Sequence, residues 1–91
     1  MMHITGQIFD TDTGDGIEET PVYLDGRVVA VTDNNGGYSF IAAPGRHRFE
    51  VRPREFLYVI RDVMITQDSR MIDHATGRPV RKDLQLTRAT L

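Results

Sequence analysis

The side chains with which this chain could do chemistry are three histidines, an acidic run near the start and a set of arginines further on. Enzymatic chemistry needs a nucleophile beside a base, a metal constellation, or an acid and base held close enough to shift each other's pKa. His3, His47 and His74 lie far apart, and the zinc-peptidase pattern His-Glu-x-x-His is absent. His47 falls at an inward position of an alternating segment, so it is expected to be a hydrogen-bonded structural residue. No cofactor motif is present, and neither a catalytic residue nor a cofactor is expected.

The run Asp10-Thr11-Asp12-Thr13-Gly14-Asp15-Gly16 has the composition of a calcium loop. Its register departs from an EF-hand, which wants an oxygen ligand where Gly14 stands, its glycine one position before Gly16, and a glutamate at the twelfth position. A looser calcium site on Asp10, Asp12 and Asp15 is the alternative to the favoured reading, a solvated turn.

Arg46, Arg48 and Arg52, with Arg54 just beyond, form an outward basic stripe that could meet an acidic protein, phosphate or nucleic acid. Glu50 interrupts it, which favours a solvated face. The net charge of −2 is too small to steer nucleic acid, so none is expected as a partner. The charge is unevenly spread. Residues 1–45 hold seven acidic side chains against Arg27 alone, a net of −6, whereas the remainder holds ten basic against six acidic, a net of +4. Such polarity could join copies head to tail. A fold that interleaves the two halves would cancel it.

A chain of 91 residues has enough material for one core, so residues 1–91 are expected to form a single domain. The composition, 40% apolar and 26% charged, is that of a globular protein, and no cysteine offers a staple. Neither a signal peptide nor a membrane span is expected from the given residues. The chain is expected to be made in the cytoplasm, or to be extracellular if it is a piece of a longer protein.

Strand signals recur along most of the chain. Residues 4–9 are rich in β-branched and apolar types and run into the acidic turn. Residues 21–24 and 27–32 flank Asp25-Gly26, the dipeptide favoured in a tight type I′ hairpin. Asp33-Asn34-Asn35-Gly36-Gly37 is a second turn, followed by Tyr38-Ser39-Phe40-Ile41 and then by residues 46–52, where His47, Phe49 and Val51 alternate with Arg46, Arg48, Glu50 and Arg52. Phe56, Val59, Ile60 and Val63 also fit a helical stripe, but the β-branched content of residues 56–66 favours strand. Residues 67–77 read as an irregular connection or short helix with Ser69 as cap, and residues 80–87 as a closing strand. About seven strands with frequent turns predict an all-β fold, a small antiparallel Greek-key β-sandwich.

Three signatures stand in order: Ile4-Thr5-Gly6-Gln7-Ile8, then Thr32-Asp33-Asn34-Asn35-Gly36-Gly37-Tyr38-Ser39-Phe40, then Pro44-Gly45-Arg46-His47-Arg48-Phe49-Glu50-Val51. Together with Val22-Tyr23-Leu24 they resemble the carboxypeptidase regulatory-like (transthyretin-like, prealbumin-like) domains over residues 4–52. The resemblance implies a prealbumin-like sandwich used as an accessory module in carboxypeptidases, adhesins, outer-membrane receptors or virions and appendages.

The related hydroxyisourate hydrolases end in Tyr-Arg-Gly-Ser, where this chain has Thr87-Arg88-Ala89-Thr90-Leu91. The internal isopeptide crosslink of related adhesins needs an early lysine, and the sole lysine is Lys82. The expected function is a non-catalytic structural or protein-interaction module, an accessory subunit of a virion or contractile-tail type of assembly. Its partners would be other protein subunits, including copies of itself. The alternatives are a spacer or adhesion domain of an exported protein, or a calcium- or ligand-binding module.

Overall fold

A computed structural model describes residues 1–80 and 83–89. Eight strands run in chain order: β1 (Met2–Asp10), β2 (Pro21–Leu24), β3 (Arg27–Val31), β4 (Gly37–Ala42), β5 (Gly45–Val51), β6 (Val59–Ile65), β7 (Met71–Asp73) and β8 (Asp83–Leu86). No helix occurs among the described residues. The strands form two sheets, one ordered β4-β1-β8 and the other β3-β2-β5-β6-β7. All strand pairs are antiparallel except β1 with β8, which is parallel. The molecule is a small all-β sandwich.

Period-two alternation accounts for the layers. Ile4 and Ile8 of β1 and Tyr38, Phe40 and Ala42 of β4 project inward from the three-stranded sheet. Val22 and Leu24 of β2, Phe49 and Val51 of β5, and Val63 and Ile65 of β6 meet them from the five-stranded sheet. Phe49 lies at the centre, with its ring 6.2 Å from Tyr38 and 6.5 Å from Phe40. Its inward face ties the two sheets into one core.

The turns use the residues that their dihedrals demand. Asp25 and Gly26 have φ of 53° and 83°, the pair of positive values that a type I′ hairpin needs. In the turn after β3, Asp33 Oδ1 accepts from the backbone N–H of Asn35 (2.9 Å) and of Gly37 (2.8 Å). Gly36 takes a φ of 79° and passes so close to β1 that a Cβ there would stand 2.3 Å from the Ile8 carbonyl oxygen. Its carbonyl accepts from Ile8 N–H at 2.9 Å, which fastens this turn to β1.

Residues 67–77 depart from expectation. They form a turn followed by β7, which pairs with β6 through Val63↔Asp73 to Ile65↔Met71. Ser69 lies in that turn at a φ of 64° and caps no helix. The short strand is selected by burial, since Met71 is fully enclosed. Residues 56–66 give β6 and no helix, because seven consecutive registered pairs with β5 satisfy their backbone. Lys82, on which the crosslink argument turned, lies outside the described residues.

Candidate interaction surface

The outward side of the five-stranded sheet sets exposed apolar side chains of β3 and β6 and the ring of Tyr23 on β2 around a charged row on β5. By register, Val28, Tyr23, Glu50 and Ile60 form one row across β3, β2, β5 and β6. A second row holds Val31 opposite Pro21, with the Arg52 N–H reaching the Pro21 carbonyl at 3.4 Å. Val28 and Ile60 are about half exposed, and Val31 and the neighbouring Tyr58 more so.

Within this face a polar knot is already assembled. Arg52 donates through Nε (3.1 Å) and Nη2 (2.9 Å) to Glu50 Oε2. Its guanidinium lies 4.1 Å from the centre of the Tyr23 ring. Glu50, expected on a solvent face, is therefore only 7% exposed. The carboxylate is tolerated there because its charge is paired and hydrogen-bonded.

The four arginines of the expected stripe do not act as one basic surface. Arg48 stands 3.4 Å from Asp62 across the β5–β6 pair, with both side chains exposed. Arg52 is committed to Glu50, and Arg46 is exposed on the strand opposite Met64. Arg54 follows the strand and lines a separate cleft of about 290 Å³ with Glu18, Glu19 and Phe56. Cross-strand and same-strand carboxylates balance the middle of the stripe.

The candidate calcium residues are not gathered. Asp10 is buried; its Oδ1 accepts from the Asp12 N–H at 2.8 Å, and its Oδ2 lies 3.1 Å from Arg88 Nη2. The Asp12 N–H, helped by Thr13 and Arg88, holds its carboxyl below the ordinary range against the opposing effect of burial. Asp12 and Asp15 are exposed. Among the described residues no three His, Cys, Asp or Glu side chains are placed to hold a metal ion.

Arg88 was not singled out by its sequence. It joins Asp10 to Glu55 (3.3 Å) and stacks 4.9 Å from the Phe56 ring, linking the C-terminal segment to the first loop. The opposed charges of the two halves of the chain were its one signal, and here they meet within the molecule.

His47 is half-buried, as its inward parity implied, and both ring nitrogens face acceptors. Nδ1 is 2.6 Å from Asp25 Oδ2, and Nε2 is 2.8 Å from the Ala43 carbonyl. Desolvation pushes its pKa down, but the Asp25 hydrogen bond, the Ala43 carbonyl and the Asp25 charge outweigh that and raise it. Although His47 and Glu50 have His-x-x-Glu spacing, a strand puts residues three apart on opposite faces, and they do not converge.

One pairing was invisible in the sequence: His3 Nε2 lies 2.6 Å from Ser39 Oγ, brought together by β1–β4 pairing. A base beside a hydroxyl is part of an activated nucleophile. Both residues are exposed, and among the described residues no carboxylate orients the ring through Nδ1. His74 is exposed, and its backbone N–H bonds the Asp62 carbonyl at 2.8 Å.

The fold and these surfaces define a class, a small all-β sandwich whose larger sheet turns both exposed apolar residues and a partly paired charged row outward. Comparison with protein-family models and with curated proteins finds no match for the chain.

Proposed function

We propose that this chain is a non-catalytic protein-interaction or structural module, an accessory subunit within a larger assembly of virion or contractile-tail type. One observation carries the reading. The five-stranded sheet turns Val28, Val31, Tyr23 and Ile60 outward, although the core behind it requires only the inward positions to be apolar. Tyrosine and arginine, stacked in advance as Tyr23 and Arg52 are, dominate the energetics of protein interfaces. The assembly type follows from the resemblance to carboxypeptidase regulatory-like domains.

The test is the native mass of the protein in a gentle extract of its own source. A defined complex with stoichiometric protein partners, dissociated by Tyr23→Ala, supports the reading. A chain that runs at its own 10.3 kDa in that extract, with the Tyr23→Ala variant indistinguishable, overturns it.

A further inference from the structure

We infer that the cleft between β6, β7 and β8 is a binding site for a small zwitterion, an α-amino acid with an aliphatic side chain. The cleft lies on the inner side of the five-stranded sheet, away from the outer face proposed to meet protein.

Five strands are laid against three, and the inner face of the larger sheet outruns its cover. On β6 the inward positions are Val59, Arg61, Val63 and Ile65, and on β7 they are Met71 and Asp73, opposite Ile65 and Val63. Val63, Ile65 and Met71 are enclosed, as inner residues should be. Arg61 breaks the rule. It stands opposite Phe49, the centre of the core, yet is exposed. With Asp73 it lines a cleft of about 370 Å³ whose apolar wall includes Val59, Val80 and Leu84.

Neither of these charges is satisfied by the other. Arg61 and Asp73 are diagonal neighbours across β6 and β7, a placement that separates Cβ atoms by roughly 7 Å, and neither joins an ion pair among the described residues. Asp73 Oδ1 accepts from the N–H of Ala75 at 2.8 Å and of Thr76 at 3.4 Å, which leaves Oδ2 for a ligand. Arg61 donates from Nη1 to the Ile60 carbonyl at 2.8 Å and keeps Nε and Nη2 for a carboxylate. A lone anion in this cleft would meet Asp73, and a lone cation would meet Arg61. An α-amino acid presents both charges at one end, its carboxylate to Arg61 and its ammonium to Asp73 Oδ2, and lays its side chain on the apolar wall. The cleft stands near the lower end of the roughly 300–1,000 Å³ range of small-ligand sites, so its occupant is small. No aromatic ring lines it among the described residues, which matches an aliphatic side chain.

Titration of the purified chain, followed by its amide NMR shifts, tests this with L-leucine and with isovalerate, isoamylamine and glycine, which lack in turn the ammonium, the carboxylate and the side chain. The expected result is saturable shifts at the residues lining the cleft, with a Kd of about 1 mM or lower for L-leucine and at least about ten-fold higher for the three partial ligands. Arg61→Gln and Asp73→Asn should each weaken L-leucine by at least about ten-fold, the asparagine keeping the Oδ1 acceptor of the turn. Arg46→Gln, on the outer face opposite Met64, should leave the Kd unmoved. No saturable shift up to about 10 mM L-leucine overturns the site. So does a partial ligand that binds wild type as tightly as L-leucine, a comparison that decides the matter even if a variant fails to fold. Folded Arg61→Gln and Asp73→Asn proteins that bind like wild type overturn it as well.

Discussion

The two sheets share one core and present different outer faces. On the three-stranded sheet, Ile41 stands opposite His3 on β1, with Thr5 and Ser39 as the adjacent registered pair, so an isolated aliphatic sits among polar groups. On the five-stranded sheet, Val28, Tyr23 and Ile60 line up across strands and the intervening Glu50 is neutralised by Arg52. Folding asks the same of both, an apolar inner row. The difference in the outer rows is therefore not set by folding, and it is on this difference that the proposed interaction role of the larger sheet rests.

That contrast presupposes that the sheets are two sides of one cooperative unit. Phe49→Ala is the severest test. The ring is fully buried and touches Tyr38 and Phe40 of the opposite sheet, so its removal should cost about 3–5 kcal/mol, a large share of the total for a domain of this size. Urea unfolding should give a lower midpoint with an unchanged slope. A loss below about 1 kcal/mol would mean that the sheets are not packed through this ring and that their outer faces cannot be compared as parts of one rigid body.

Legibility in the sequence follows the same division. Where a residue's role is set by its own neighbours in the chain, sequence reading succeeds: Asp25-Gly26 gives the hairpin, Asp33 and Gly36 give the second turn, and Tyr38, Phe40, Phe49 and Val51 point inward. Where a role depends on pairing between distant segments, it fails. Nothing local announces that Glu50 will be buried beneath Arg52 and Tyr23, that Arg88 will reach Asp10, or that His3 will meet Ser39. β7 was missed because three residues are too few to show a period. The arginine stripe was read correctly as outward, but its charge depended on Asp62, which only the β5–β6 register places beside it.

A smaller effect separates the two faces directly. Tyr23→Ala removes a half-buried ring from the large-sheet face and should lower stability by about 1–2 kcal/mol. Ser39→Ala, at an exposed position of the small-sheet face, should stay within about 0.5 kcal/mol. The same Ser39→Ala protein should hydrolyse an activated aryl ester no more slowly than wild type. If it does lose activity, His3 and Ser39 form a working nucleophile, and the small sheet carries the function assigned here to the large one.

The smallest expected effect concerns the end of the sandwich where the chain crosses between sheets. His47 on β5 bridges Asp25, in the β2–β3 turn, and the Ala43 carbonyl, in the crossing from β4 to β5. Only an imidazolium donates from both nitrogens, so the neutral ring must give up one of these bonds. Its folded pKa is raised, so the unfolded chain gives up this proton first as the pH climbs past about 6.5. The stabilisation is thus complete below that value and lost as the pH rises through the higher folded value. Asp25 has the opposite sign: against burial, the Arg48 N–H and His47 hold it below 3.8, so its contribution is present above that value and lost as the pH falls through the lower folded one. Between these limits the clasp is whole. The thermal midpoint of wild type should therefore decline from mildly acidic to alkaline pH, with a component that vanishes in His47→Gln. If the two profiles are parallel, the clasp does not couple the sheets at this end, and core packing alone sets how the two faces are disposed.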